Sequence, residues 1–449
     1  MDKKILETYP IYIYNSVEDE WDFISSWKNN KQKKIIHDSN RFADCYLFAN
    51  ALFQSFTFIS PIIISAEFKK YFEDLSGSRC AILTPKETTP FICKNIALDK
   101  NVFSTIVSAA KKVGSLSLYV YAMTQNVFNL KREFEKTNLP VYIPEAPLEK
   151  NLWTVSYFGS KSGFRTSFAS LMPTGNIEND YKIIQKKALT LFKTSRGIVI
   201  KTDKGSAGQG VYIYKKNKVK TRKQLRLKLQ QIFKREIYLK KHPLILETYI
   251  DTIKEKKCPF PSIECFIHQN GEVEIPYYCN MIVTSKGEFY GMEMHRSVFT
   301  KKVKNIVFAL AMKIAETYKN EGYRGRFDID MINDGKKIYA NESNTRTTGG
   351  TDTYYIVKKI IGKDFFSKRY VLSSYINLQK NITPSFLTIK RLFSLYLFNK
   401  KTKTGLIINS ESVIKNGGFS YIIVGKDRKE TFSLHLTIKT VLTNYKKKE

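Results

Sequence analysis

Glu342, Asn344 and Arg346 occupy alternate positions in the run ANESNTR, and Asp330 precedes them in GRFDIDMI. Two carboxylates and an amide on one surface are hard oxygen donors. Such a set holds a magnesium-like ion and leaves positions open for phosphate oxygens. Strand side chains alternate between faces, so Glu342 and Asn344 point the same way, and a short extended run brings Arg346 with them. There the guanidinium could meet a substrate carboxylate or a phosphate formed on it. Whether Asp330 joins them depends on the turn. A two-residue Asp334-Gly335 turn would pair Asp330 with Tyr339 and leave Glu342 on the opposite face. An odd-length loop with Gly335 left-handed, as in a G1 bulge, would bring Asp330 and Glu342 together. The metal-site reading therefore predicts an odd-length loop. The competing reading is a solvated hairpin with charged edges and Arg346 in a structural salt bridge.

A second group lies upstream in IVIKTDKGSAGQGV. Lys201 closes a strand, and Gly205, Ser206, Gly208 and Gly210 form a loop whose backbone amides can approach an anion. A strand follows where a dinucleotide fingerprint would start a helix, and the GxxxxGK[ST] pattern is absent. The loop reads as a flap over nucleotide phosphates, with an ordinary glycine-rich hairpin as the alternative. Lys161 in YFGSKSGF is a candidate second phosphate lysine. Glu247 in LILETYID could accept from an adenine amine, and Asp251 from a ribose hydroxyl. His295 and Arg296 close a strand and are candidates to face the phosphates.

These residues need a scaffold of some size. The chain has 449 residues, 43% hydrophobic and 13% aromatic, which is enough for two or three cored domains. Strands alternating with helices over residues 1–150 predict a parallel sheet. IYIY, PIIIS, LSLYVYAM and PVYI are the expected strands, and PVYIPEAPLEKN the linker. Residues 151–380 change to longer strands and hairpins, and residues 381–449 read as a small α/β extension. The apolar window CYLFANALFQSFTFISPIIIS contains Asn50, Gln54 and Pro61 and reads as core, not as a membrane span. No signal peptide is evident, and six cysteines without CxxC or Cys-His spacing read as reduced thiols of a cytoplasmic protein. The net charge of +33 invites a nucleic-acid partner. However, the lysines are spread along the chain and far outnumber the arginines that base readers favour.

The order strand lysine, glycine flap, ILETYI, GYRGRFDIDMI and ANESNTR resembles the ATP-grasp superfamily of carboxylate–amine and carboxylate–thiol ligases. NESNTRTTGGTD and SIECFIHQNGEVEI look most like the pheganomycin-type peptide ligases and the butirosin-pathway glutamate–carrier-protein ligase. The resemblance implies an α/β chain with an N-terminal pre-ATP-grasp domain (1–150) and a two-lobed, α+β grasp (151–380). The flap lobe would span about 160–245 and the metal lobe about 246–380, with a C-terminal extension over 381–449. It implies ATP and two Mg2+ as cofactors, with Lys161, Lys201 and the glycine loop on the phosphates. Glu247 and the backbone at Tyr249 and Ile250 would hold adenine, and Asp251 or Glu264 ribose. Asp330, Glu342 and Asn344 would bind metal, and Arg346 would orient the acyl phosphate, with Arg296 the second catalytic candidate from its strand-end position. The implied partners are an amino-acid, peptide or other carboxylate donor and an amine or thiol acceptor, including an acidic acyl-carrier protein. The opposing class is a basic nucleic-acid-binding protein without ligase activity.

Overall fold

The computed structural model describes residues 8–86, 89–168, 174–177, 181–205, 208–253, 258–284, 287–378 and 383–446. Five strands build the N-terminal sheet: β1 (Tyr9–Ile13), β2 (Ser55–Ile59), β3 (Arg79–Leu83), β4 (Leu116–Val120) and β5 (Val141–Tyr142). All are parallel, in the order β3-β2-β1-β4-β5. The return helices carry their own stop signals. The helix Lys100–Val113 starts at Asp99, whose side chain accepts from Asn101 and Val102, and ends at Gly114 with φ +95°. The strand expected at PIIIS lies earlier, at Ser55–Ile59. Ser60 ends it, because its hydroxyl accepts from Ile62 N and Pro61 has no N–H to donate. The expected helix over FADCYLFANALFQSF is a 3-10 segment, Ala43–Asn50, that gives way to β2.

The flap lobe is a four-stranded antiparallel sheet of β6 (Thr174–Ile177), β7 (Gly197–Thr202), β8 (Val211–Lys215) and β9 (Leu244–Thr248). Its order is β6-β9-β7-β8, so this lobe runs a few residues past 245. The helices Tyr181–Thr194 and Arg222–Arg235 cover one face. Ile184, Ala188 and Phe192 on the first, and Leu225, Leu229 and Ile232 on the second, recur at helical spacing. They meet Ile198, Ile200, Leu244 and Leu246 of the sheet. Alternation then turns Lys201 of β7 and Glu247 of β9 to the opposite face.

The third sheet has eight antiparallel strands: β10 (Pro261–Ile267), β11 (Val273–Val283), β12 (Phe289–Met294), β13 (Gly325–Asn333), β14 (Ile338–Asn344), β15 (Tyr370–Asn377), β16 (Gly405–Ile408) and β17 (Gly418–Gly425). The order is β14-β13-β10-β11-β12-β15-β17-β16. The residues after 381, expected as a small C-terminal α/β extension, continue this sheet through the pairing of β15 with β17. The helix Lys301–Asn320 lays Val307, Ala311 and Ile314 on one face, against Phe327, Ile329 and Met331 of β13. Arg326, Asp328 and Asp330 therefore project from the other face.

One aromatic-rich core unites the chain ends with the N-terminal sheet, joining Tyr12, Phe56 and Phe68 to Tyr277, Phe386 and Tyr421. A buried carboxylate ties the same seam. Asp44 accepts from Ser410 Oγ at 2.7 Å and from the N–H groups of Glu411 and Ser412 at 2.8 Å each. All six cysteines are buried and free. Among the described residues, no helix is long and apolar enough to cross a membrane. Replacing Asp44 by Ala leaves two buried N–H groups without acceptors and opens a small void. The expected loss is ~2–4 kcal/mol in urea or thermal unfolding, against under ~0.5 kcal/mol for the exposed control Asp74→Ala.

Candidate functional site

The acidic hairpin brings its two carboxylates together, but not by the expected turn. Asn333 pairs with Ile338, so the loop Asp334–Lys337 has four residues, an even number. Asp334 Oδ1 accepts from the N–H groups of Lys336 and Lys337, each at 2.7 Å. Gly335 sits at φ +91°, where a Cβ would fall 2.5 Å from Ile253. Parity is corrected further along. Met331 pairs with Ala340 and Asp330 with Glu342, leaving Asn341 as an extra residue in β14. The prediction of an odd-length loop is thus wrong, because the single-residue offset comes from a bulge within the strand. The bulge is pinned from the flap side. Lys201 Nζ donates to Asn341 Oδ1 at 2.7 Å, Arg165 Nη2 to the same oxygen at 3.3 Å, and Arg165 Nη1 to the Ala340 carbonyl at 2.9 Å.

Asp328 pairs with Asn344 and Asp330 with Glu342, so four oxygen-bearing side chains share one patch. Asn344 Nδ2 donates to Asp328 Oδ1 at 2.8 Å and to Asp330 Oδ2 at 3.3 Å. Asp330 Oδ1 is buried without a hydrogen-bond partner among the described residues. Burial first, then the Glu342 carboxylate, push Asp330 up to about 7. Asp328 is raised in the same direction, by burial first and then by the Asp330 carboxylate. Glu342 goes the other way. Burial acts to raise it, but Lys161, Lys201, Arg165 and Arg346 together hold it below the usual carboxylate range.

Three of those cations come from two elements, the helix Lys161–Phe168 and β7, and Arg346 follows β14. Lys161 opens the helix Lys161–Phe168, and its Nζ lies 3.6 Å from Glu342 Oε2 and donates to the Gly205 carbonyl at 3.2 Å. Arg165, one turn later, faces the same way. Its Nε donates to Glu247 Oε1 at 2.8 Å, and Lys201 Nζ lies 3.0 Å from Glu247 Oε2. Burial lowers Lys201 below the usual lysine range, with Glu247 pulling against it. The expected adenine acceptor, Glu247, is buried, and both its oxygens are engaged by these two cations. Tyr249 N donates to the Gly197 carbonyl, Ile250 is half-buried, and Asp251 is paired at 2.7 Å with Arg196. Gly205, Gly208 and Gly210 all have positive φ, and at Gly210 a Cβ would strike Thr202 Oγ1 at 1.9 Å. Ser206 lies outside the described residues.

Arg346 reaches the N-terminal sheet. Its Nε lies 3.2 Å from Asp19 Oδ2, and its Nη1 donates to Asn344 Oδ1 at 3.1 Å. Ala122, just past β4, forms a bridge with Arg346, and Asn15, just past β1, hydrogen-bonds both backbone groups of Ala122. The arginine therefore sits where the carboxyl ends of β1 and β4 diverge, the switch point at which open parallel sheets bind ligands. A cleft opens there between Lys161, Gly205 and Glu342 on one side and Asp19, Glu20 and Arg346 on the other. Arg296 does not line it. That residue is exposed beyond β12, with its carbonyl accepting from Tyr278.

Residue spacing left several members out. Arg165 carried one signal, its position a single turn after Lys161. Asp19 and Glu20 carried another, since they follow the first strand of a parallel sheet. Asn341 carried none, because strict alternation skips it. Glu264, weighed as a ribose ligand, is buried on β10. It accepts from Tyr277 Oη at 2.8 Å and from Arg326 Nη1 at 2.8 Å, and Arg326 also holds Glu145.

No family model matches the sequence, and no curated protein does. Solved structures do match. N5-carboxyaminoimidazole synthetase from Staphylococcus aureus, complexed with ADP, superposes with a TM-score of 0.54 at 11% identity, covering 97% of each chain. The biotin carboxylase domain of the Hydrogenobacter thermophilus 2-oxoglutarate carboxylase, with MgADP and bicarbonate, gives 0.55 at 12%, covering 93% of this chain and 86% of that one. Biotin carboxylase from Campylobacter jejuni, as a βγ-ATP complex, gives 0.55 at 11%, over 96% and 90%. At such identities the likeness establishes the fold. It is the ATP-grasp fold, and it runs through nearly the whole chain.

The crowding of acids has a pH signature. Asp330 is raised from 3.8 to about 7, so the folded chain keeps a proton that the unfolded chain has lost. The stability this group contributes is full below its unfolded value and is lost as pH rises through the folded one. Asp330→Asn fixes the neutral form. In magnesium-free buffer, its melting temperature should exceed that of the unaltered protein by a margin that widens from about pH 5.5 to about pH 8, reaching several degrees. A margin independent of pH would contradict the assignment.

Proposed function

We propose that the chain is an ATP-dependent ligase that activates a carboxylate as an acyl phosphate and passes the acyl group to an amine, or to a thiol by the same step. The observation that carries this reading is the Asp330–Glu342 pair, set on one face by the Asn341 bulge and opposed by Lys161, Arg165 and Lys201. The ATP-grasp fold and its ADP- and ATP-bound neighbours support it.

The donor set fits a hard divalent ion. Asp330 has an oxygen with no hydrogen-bond partner, and its carboxylate and that of Glu342 oppose each other. Among the described residues, no three His, Cys, Asp or Glu side chains are grouped to hold a metal by themselves. The third protein donor in this reading is the amide of Asn344, which lies beside Asp330 across β13 and β14. Its nitrogen faces the acids here, so a half-turn of the amide would present the oxygen. When bound, magnesium would neutralise the charge that grows on the phosphate oxygens during transfer.

The chain's own groups supply the rest. The glycine loop lies over the nucleotide phosphates, and Lys161 and Lys201 pair with them. An oxygen of the donor carboxylate attacks the terminal phosphorus, and the bond from that phosphorus to the bridging oxygen breaks, releasing ADP. Arg346 pairs with the anionic oxygens at the reacting end. The acceptor nitrogen then attacks the acyl carbon, the carbon–oxygen bond to phosphate breaks, and the amine proton goes to solvent or to phosphate. Closure of the loop keeps water from the intermediate. No covalent protein nucleophile is required.

Hydroxylamine tests the first half without knowledge of the acceptor, because it converts an acyl phosphate to a hydroxamate with release of phosphate. In a panel of amino acids, short peptides, other carboxylates and carrier proteins, at least one donor should give hydroxamate and ADP in equal amounts. Glu342→Gln should lower that rate by about a hundredfold or more, and Lys201→Met should chiefly raise the ATP KM. ADP release that survives Glu342→Gln unchanged would sink the metal role. Nucleic-acid binding without donor-dependent ADP release would sink the ligase reading.

A further inference from the structure

The positive charge is concentrated. Residues 181–248 hold nineteen lysines and arginines against three acids, so this segment carries about half of the chain's net +33. None of the three acids offsets the outer surface. Glu236 and Glu247 are buried, and Asp203 accepts from Ser162 N. The even spread of lysines read from the sequence therefore does not describe the folded surface.

The excess is focused on the outer face of the flap lobe. A groove runs between the helices Tyr181–Thr194 and Arg222–Arg235, with Leu189 in its lining and Lys182, Lys186, Lys193, Arg222 and Arg226 along it. Lys186, Lys193, Arg222 and Arg226 are exposed, and none of these four is within salt-bridge distance of an acid among the described residues. Arg222 and Arg226 stand one turn apart, a spacing at which like charges repel. Among the described residues, no aromatic ring lines the groove to offer a stacking surface for bases. The same two helices also expose apolar side chains, Ile183 at 48% and Leu227 at 52%.

We infer that this groove is a docking surface for an acidic amphipathic helix of another protein. Carboxylates on one face of such a helix would meet the four cations, and its apolar stripe would cover Leu189, Ile183 and Leu227. The groove lies across the sheet from Lys201, so occupancy leaves the cleft open.

Fluorescence anisotropy on the full chain tests this with three labelled probes. They are a helical peptide with Glu on one face and Leu on the other, a peptide of the same composition in scrambled order, and a DNA duplex of equal charge. The amphipathic peptide should bind at least tenfold more tightly than the other two. The double change Lys186→Glu, Arg226→Glu should weaken it at least tenfold. The equal charge change Lys111→Glu, Lys112→Glu on the N-terminal unit should cost less than twofold. Equal losses in the two variants, tighter binding of the scrambled peptide or the duplex, or no binding would each overturn the proposal. None of these outcomes depends on ligase activity.

Discussion

The cleft depends on a charge balance that no single part of the fold supplies. β13 and β14 gather Asp328, Asp330 and Glu342 on one face, and by themselves these carboxylates repel in poorly solvated surroundings. The flap sheet and the helix before it bring Lys201, Lys161 and Arg165 from the other side. The cations do not serve all three acids equally. Glu342, beside them, is held ionised, whereas Asp328 and Asp330, further along β13, are driven toward the protonated form. One patch therefore contains both a resident anion and a reserve of protonated acid that a divalent ion could displace into its charged form.

Arg165 is the residue that lets this balance exist. Its guanidinium is spread over three acceptors: the Glu247 carboxylate, the Ala340 carbonyl and the Asn341 amide oxygen. The first belongs to the flap sheet and the other two to the bulge. A planar fork of five donors can span that gap, while a lysine ammonium reaches only a point. The bulge in turn puts Glu342 opposite Asp330. An arginine hydrogen-bonded to none of the three hairpin acids thus helps, with Lys201, to fix which face they occupy.

Much of the fold was legible because periodicity is a local property. The parallel sheet, the flap strands around the glycine loop and the helix Lys301–Asn320 all follow from spacing and capping residues. The acidic hairpin was legible in its requirement, that Asp330 and Glu342 share a face, but not in its means. A bulge at Asn341 leaves no compositional trace, and it is held by residues 140 and 176 positions away in sequence. Glu247 illustrates the same limit. Its strand and facing were readable, whereas its two cationic neighbours are a tertiary fact. Arg296 failed for the opposite reason. It follows a strand as a site residue would, but the chain turns outward after Met294 and leaves it in solvent.

The N-terminal sheet completes the site as well as preceding it. Asp19 at the carboxyl end of β1 and Ala122 at that of β4 both meet Arg346, and Glu145 of the connecting segment binds Arg326 on β13, two residues before Asp328. The segment expected as a linker is therefore anchored in the large sheet and fixes its distance from β1 and β4. An anion arriving at Arg346 meets a guanidinium already paired with Asp19 and Asn344. It gains only the difference between its own interaction and the one it displaces, and the freed Asp19 carboxylate must find another cation. The pairing that such an anion must displace is thus set by an acid beside the N-terminal sheet, far in sequence from the E-x-N-x-R run that contains the arginine.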